Sequence, residues 1–309
     1  MRSARLLSLA LLLFLTSPAV ASAQDIGVPV PPLGAGPWVI DTAEQHKIRM
    51  SVVARGLSHP WALAFLPHGD MLITERDGRL RSLNVGKLDP TPISGLPEIR
   101  TDGNGGLMDV AVHPDFENNG LLYFTYTKPA GGGRGSPALA RARLDGHRLV
   151  ELRELVVTDA YDGNSGLNGR VAFGADGKVY MSTGGRVENV AQQPSSLRGK
   201  ILRLNDDGSV PDDNPFLDRP EFRPEIYSLG HRNQLGLMLH PVTGELWNHE
   251  NGPNGGDEIN IILPGRNYGW PVVSFGRLYP GSRVSEHPPK EGMESPLVVW
   301  LPAKAVGGK

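Results

Sequence analysis

The stretch MDVAVHPDFENNGLLYFTYT at 108–127 carries the pattern that decides the fold. An apolar run leads into a turn of proline, aspartate and glycine, and a second apolar run ends in small or polar residues. Short apolar runs bounded by such turns are typical of paired β-strands. Three further stretches follow the same scheme: WALAFLPHGDMLITERDGRLRSL at 61–83, RVAFGADGKVYMSTGG at 170–185 and LGLMLHPVTGELWNHENG at 235–252.

The spacing of these four copies indicates how they are arranged. Their turns lie about 45–65 residues apart, which is the range of β-propeller blades. The chain contains 39 glycines and 27 prolines, spread widely, so we expect little helix. The sequence therefore predicts an all-β chain folded as a β-propeller, with an unrelated β-sandwich as the alternative. In a propeller, the starts of the first strands line the central channel, where ligands usually bind.

The amino terminus has the composition of an export signal. Arg2 and Arg5 form a basic start, Leu6–Leu15 is an apolar run too short to span a bilayer, and Ala21-Ser22-Ala23 fits a cleavage site. We predict a signal peptide over residues 1–23 and a periplasmic or secreted protein, with a membrane anchor as the alternative.

Composition limits the remaining possibilities. Residues 24–45 are rich in proline and predict an extended segment, which leaves residues 46–309 for the propeller. The chain has no cysteine, so stability rests on the packed core rather than on disulfides. A net charge of −2 without a basic stripe argues against nucleic acid or an anionic membrane as partner.

The segment NHENGPNGGDEINII at 248–262, together with GHRN at 230–233, is the strongest candidate site. A loop of glycine, proline and asparagine offers main-chain carbonyls to a hard cation, and Asp257 and Glu258 follow directly. Arg232 and Asn233 can supply a positive charge and amide donors to an anionic ligand. The alternative is an ordinary glycine-rich turn whose acids are solvated.

These segments resemble the soluble glucose/sorbosone dehydrogenase family, the aldose sugar dehydrogenases that use pyrroloquinoline quinone (PQQ). The resemblance extends to three other segments, which are similar to family segments and follow in the family's order: GNGGLMDVAVHPDFENNGLLYFTYT at 103–127, LRGKILRLNDDGSVPDDNPF at 197–216 and PGRNYGWPVVSFG at 264–276. It implies a six-bladed propeller that binds PQQ and calcium, oxidises an aldose at C1 to the lactone, and passes electrons to an external acceptor.

The resemblance also assigns roles to residues of this chain. It implies that the main-chain carbonyls of Gly252 and Pro253 bind the calcium ion that holds the quinone. Arg232 and Asn233 match positions that contact the quinone. The remaining cofactor-side positions are Asn104, Arg170 and Asn251. For Asp257 and Glu258, a nearby cation and simple capping of the turn remain equal alternatives.

The chain departs from the family pattern at the catalytic base. Relatives place a histidine four residues before an arginine; with Arg170 as that arginine, Gly166 occupies the base position. In the next strand end, Gly184-Gly185-Arg186, relatives usually carry an aspartate before the arginine, where this chain has Gly185. The pattern ends after Pro302, so we expect an incomplete last blade that lacks the lysine and arginines that pair with the quinone carboxylates.

Three functions remain in competition. The first is a PQQ- and calcium-dependent aldose dehydrogenase whose activity is impaired in this chain. The second is a non-catalytic calcium-binding propeller, which the glycine at position 166 favours. The third, a calcium-dependent lactone hydrolase, is disfavoured because such enzymes hold their metal mainly with side chains, whereas this loop offers carbonyls.

Overall fold

The structure is a computed structural model that describes residues 34, 36–42, 46–161, 163, 166–185, 188–279, 281–285 and 289–307. The predicted signal peptide at 1–23 and most of the predicted segment at 24–45 lie outside the described residues. Among the residues described, no helix is long and apolar enough to cross a membrane. The chain divides into two compact units, residues 1–52 and 53–309.

The described part of the first unit is an antiparallel hairpin. Strand β1 (Trp38–Asp41) pairs with β2 (Lys47–Met50), with Trp38 opposite Met50. Most of the side chains in both strands are exposed.

The described residues of the second unit form four four-stranded antiparallel sheets, and in each the strands follow one another in chain order. The first two sheets are β3 (Pro60–Phe65), β4 (Met71–Glu75), β5 (Arg79–Asn84) and β6 (Lys87–Leu88), then β7 (Leu107–Val112), β8 (Leu121–Pro129), β9 (Gly135–Asp145) and β10 (Arg148–Val157). The other two are β11 (Val171–Phe173), β12 (Val179–Ser182), β13 (Lys200–Leu204) and β14 (Ile226–Leu229), then β15 (Gln234–Leu239), β16 (Leu246–Glu250), β17 (Asp257–Ile261) and β18 (Val298–Trp300). Helix is confined, within the described ranges, to α1 (Phe116–Asn119) and one 3-10 turn, Glu188–Gln192.

The four sheets are the blades of a β-propeller, which confirms the predicted fold. The first strands of successive blades contact one another, β3 with β7, β7 with β11 and β11 with β15. Successive side chains of a strand point to opposite faces of the sheet, so each blade can pack on a neighbouring blade at either face. In β8, Leu122 and Phe124 join the core shared with the first blade, whereas Tyr123 joins the core shared with the third.

Buried threonine hydroxyls connect successive blades near the first strands. Thr74 of β4 accepts a hydrogen bond from a first-strand amide of its own blade at 3.0 Å and donates to the carbonyl of Met108 in the next blade at 2.5 Å. Thr125 of β8 repeats this arrangement and donates to the carbonyl of Gly169 at 2.8 Å. The starts of the first strands, which carry the candidate site, are thereby fixed.

Candidate functional site

The turn before β15 is held between the third blade and the end of β16. The Gly185 amide donates to the carbonyl of Arg232 at 2.7 Å, and the Asn251 amide donates to the carbonyl of Asn233 at 3.0 Å. Three of the predicted cofactor residues, Arg232, Asn233 and Asn251, are therefore neighbours. The Arg232 guanidinium is buried, lies 5.2 Å from the centre of the Trp270 ring and donates to the carbonyl of Asn251 at 2.6 Å.

In the loop after β16, the Gly252 amide is hydrogen-bonded to another described residue, whereas the carbonyls of Gly252 and Pro253 are not. The Gly252 amide donates to Asp257 Oδ1 at 3.0 Å. In the described part of the chain, neither the Gly252 carbonyl nor the Pro253 carbonyl accepts a hydrogen bond. Main-chain carbonyl oxygens without a hydrogen-bond donor are among the oxygen ligands that calcium takes.

Asp257 and Glu258, the two acidic residues after the loop, lie in different environments. Asp257 is buried, and its Oδ2 accepts hydrogen bonds from the amides of Lys304 at 2.8 Å and Ala305 at 2.6 Å. With the Gly252 amide on Oδ1, both carboxylate oxygens therefore accept main-chain amides. Glu258 is partly buried opposite Glu250 on β16. Burial, and then the Glu250 carboxylate, raise the pKa of Glu258 well above its usual range.

Asp257 thus caps the turn, and a metal role for Asp257 or Glu258 stays a prediction. Among the residues that the structure describes, no group of three or more histidine, cysteine, aspartate or glutamate side chains is arranged to hold a metal ion. A cation at this site would therefore depend on the main-chain oxygens of the loop.

A buried polar network that the sequence reasoning missed lies beside Arg232. His231 Nδ1 lies 3.0 Å from Glu250 Oε1, and its Nε2 lies 2.9 Å from Ser228 Oγ. Glu250 Oε2 accepts the Arg232 amide at 2.5 Å. A glutamate at the end of a strand, two residues before Gly252, is the sequence signal that would have found it. The order serine–histidine–glutamate resembles a hydrolytic triad, but Ser228 is completely buried and cannot meet a substrate.

Arg170 at the start of β11 is committed to contacts within the protein. Its Nε donates to the carbonyl of Leu235 at 2.6 Å, and its guanidinium lies 4.0 Å from the centre of the Trp61 ring. Asp109 Oδ1 lies 3.7 Å from its Nη1. Burial lowers the pKa of Arg170, and Asp109 acts in the opposite direction. A cofactor role for Arg170 stays a prediction.

The predicted base position is lined by main chain. Gly166 has a φ of +82°, in the left-handed region that favours glycine. A Cβ on Gly184 would overlap Asn168 Oδ1 and lie 2.5 Å from the Gly166 carbonyl oxygen, and the Tyr161 hydroxyl donates to the Gly184 carbonyl. The lack of a side chain at Gly184 therefore leaves room for the backbone of Gly166.

Asn104 has no hydrogen bond to the other predicted cofactor residues in the described part of the chain. It lies exposed in the turn before β7, where the Gly105 amide donates to the carbonyl of Asp102 at 3.0 Å. No hydrogen bond between described residues joins Asn104 to Arg232, Asn233 or Asn251. Its cofactor contact stays a prediction.

Lys200 underlies the site and is also outside the sequence prediction. Its side chain is completely buried, and its Nζ donates to the carbonyls of Val190 at 3.2 Å, Ala191 at 3.0 Å and Arg198 at 2.7 Å. Burial lowers the pKa of Lys200 to about 7; Asp159 opposes this shift and Arg198 adds to it.

This lowered pKa predicts how stability depends on pH. Between about pH 7 and its ordinary pKa of 10.5, the unfolded chain binds a proton at Lys200 that the folded chain does not. The free energy of unfolding is therefore expected to rise with pH across this window, relative to Lys200→Met, by at most about 1.4 kcal/mol per pH unit. Urea unfolding of both proteins at pH 7, 8, 9 and 10 measures this. Parallel curves would contradict it.

Comparison with known proteins places this geometry in a class. The fold and site define a β-propeller with a polar, carbonyl-lined site beside the first strands. The chain matches the Glucose / Sorbosone dehydrogenase family over residues 57–309 and belongs to that family.

Three comparisons agree with this assignment. The chain is 38% identical to the aldose sugar dehydrogenase YliI of Escherichia coli (strain K12), over 84% of this chain and 72% of the relative. The apo crystal structure of the soluble aldose sugar dehydrogenase of E. coli superposes with a TM-score of 0.78, at 38% identity, over 82% of this chain and 75% of that one. The PQQ-bound aldose sugar dehydrogenase of Streptomyces coelicolor gives a TM-score of 0.65 at 30% identity, over 80% and 70%.

Proposed function

We propose that this protein is built as a PQQ- and calcium-dependent aldose dehydrogenase, which oxidises an aldose at C1 to the lactone, and that its turnover is impaired. The observation that carries the proposal is the open carbonyl pair of Gly252 and Pro253 beside the buried Arg232 guanidinium. The names of its relatives support the reaction class, since two are aldose sugar dehydrogenases and one of these holds PQQ.

The residues present fit the cofactor and the ion. The Gly252 and Pro253 carbonyls are hard oxygen ligands suited to calcium. Asn251 Oδ1 is buried and has no hydrogen-bond partner among the described residues, so it is available to a donor on a ligand. When bound, PQQ supplies the chemistry that the side chains lack, by accepting a hydride from the sugar.

The chain's own residues bind and orient in this proposal. Arg232 presents a positive charge whose direction is fixed by its bond to the Asn251 carbonyl and by the Trp270 ring. A charge held in place before reaction stabilises the negative charge that develops during reduction without reorganising. Asn233 would act as an amide donor beside it.

Proton removal is the step at which we propose that the chain is impaired. A sugar hydroxyl at C1 must lose a proton as the hydride leaves, and Gly166 offers no side chain to receive it. The same observation favours the second candidate, a non-catalytic propeller that retains calcium. In both cases we propose an exported protein with an aldose as its small-molecule ligand; the dehydrogenase also requires an external electron acceptor.

Titration of PQQ tests the proposed site. Binding followed by the quinone absorbance is expected to be saturable in millimolar calcium and at least 10-fold weaker in chelator, because the Gly252 and Pro253 carbonyls would hold the ion in the same site as the quinone. Arg232→Gln removes a charge-assisted contact worth roughly 1.5–3 kcal/mol and should weaken binding at least 10-fold. Arg219→Gln, at a half-exposed arginine paired with Glu221, is the matched control and should bind as the unmodified protein does. Equal affinity in calcium and in chelator would contradict the proposal.

A further inference from the structure

The turn before β15 and the end of β16 are joined by a reciprocal clasp. The carboxylate of Glu250 accepts the main-chain amide of Arg232 at 2.5 Å, while the guanidinium of Arg232 donates to the main-chain carbonyl of Asn251 at 2.6 Å. Each segment thus supplies one side chain to the backbone of the other. The clasp ends at the peptide that joins Asn251 to Gly252.

The carboxylate at the centre of this clasp has a single orientation. Its Oε1 lies 3.0 Å from His231 Nδ1 and accepts Asn260 Nδ2 at 3.3 Å. The His231 ring is oriented in turn by Ser228 and stacks on Tyr268, with the ring centres 4.7 Å apart. Glu250 and His231 are at most 2% exposed, so packing holds the pair in place.

We propose that Glu250 is a positioning residue for the calcium and quinone site, an inference that rests on the proposed function. Glu250 fixes the main chain of Arg232, and Arg232 fixes the carbonyl of Asn251. With that carbonyl directed to the arginine and the Gly252 amide directed to Asp257, the Gly252 and Pro253 carbonyls keep one orientation. Glu250 touches neither the ion nor the quinone; it acts through the residues that do.

The first blade provides a matched control for this role. Glu75 ends β4 as Glu250 ends β16, and it is opposite Pro60 as Glu250 is opposite Gln234. It accepts the Ser58 amide at 2.5 Å, and Ser58 precedes its first strand by two residues, as Arg232 does. Glu75 is also completely buried. Glu75 also accepts hydrogen bonds from Arg79 Nε at 2.7 Å and Arg81 Nη1 at 3.3 Å, where Glu250 pairs with His231 and Asn260. The two glutamates match in holding the main chain that precedes their first strands, and we propose no ligand beside Glu75.

Calcium titration of Glu250→Gln and Glu75→Gln, with chelator-stripped protein, tests the assignment. Both variants are expected to lower the melting temperature, because each weakens a buried carboxylate contact. Only Glu250→Gln should also weaken calcium binding, at least 10-fold, and PQQ binding with it. Ser228→Ala, which removes only the far end of the network, should fold even if Glu250→Gln does not, and should weaken calcium binding about two- to tenfold.

The outcomes distinguish failure of the positioning role of Glu250 from failure of the proposed function. Unchanged calcium affinity in both Glu250→Gln and Ser228→Ala, or an equal loss in Glu75→Gln, would overturn the positioning role while leaving the proposed function intact. If the unmodified protein binds no calcium, the proposed function itself fails, and the positioning role fails with it. Hydrogen exchange in the calcium-free protein adds a second reading, since the Arg232 and Gly252 amides should exchange faster in Glu250→Gln and not in Glu75→Gln.

Discussion

Sugar oxidation by this protein, loaded with PQQ and calcium, is expected to be at least 100-fold slower than by the E. coli aldose sugar dehydrogenase. A positioned general base contributes roughly 10²–10⁴-fold to such reactions, and Gly166 has no side chain to act as one. Glucose-dependent dye reduction at saturating cofactor measures the rate. A turnover on the order of 10 s⁻¹, typical of enzymes, would show that another group removes the proton.

Restoring the histidine alone should recover little activity. The φ of +82° at Gly166 is strained for any residue with a Cβ, at a cost of about 1–3 kcal/mol. Gly166→Ala is the control that separates strain from chemistry. We expect both variants to melt at a lower temperature, by similar amounts, and Gly166→His to stay within 10-fold of the unmodified rate. Full recovery by Gly166→His would support the missing base and would contradict the expectation that the strained backbone keeps a histidine here from acting as one.

The fold was predictable because it depends on local sequence patterns of apolar runs and turns. The four copies of the strand–turn–strand scheme became the first two strands of the four blades, and period 2 in β8 distributes its side chains between two cores. The hairpin of β1 and β2 was not predicted. Its strands are short and mostly exposed, so they lack the burial that produces a clear apolar alternation.

The proximity of the candidate site residues was predictable only where they lie close together in the sequence. Two short motifs hold Arg232, Asn233 and the Asn251–Pro253 loop, and the structure brings Arg232, Asn233 and Asn251 together. Their roles toward a cofactor or an ion stay predictions. Glu250 and Lys200 were missed, because their roles depend on hydrogen bonds to main-chain groups of other segments, Arg232 for Glu250 and Ala191 for Lys200, whose approach the sequence does not show. For Asn104 the resemblance gave a position, but the structure leaves its side chain exposed in a turn.

Gly252→Ala is expected to abolish calcium binding by the loop. A Cβ at this position would overlap the carbonyl oxygen of Gly255 and lie 2.6 Å from that of Gly256. Those atoms are main chain, so the loop must move, and the Gly252 and Pro253 carbonyls must move with it. Asn254→Ala is the matched control, since it truncates an exposed side chain of the same loop.

Calorimetric titration of calcium into the chelator-stripped protein, without quinone, tests the central claim most directly. The main-chain carbonyls of Gly252 and Pro253 should give one saturable site in the unmodified protein and in Asn254→Ala, and none in Gly252→Ala. No calcium binding by the unmodified protein, or the same affinity in Gly252→Ala, would contradict the claim that this loop holds the ion.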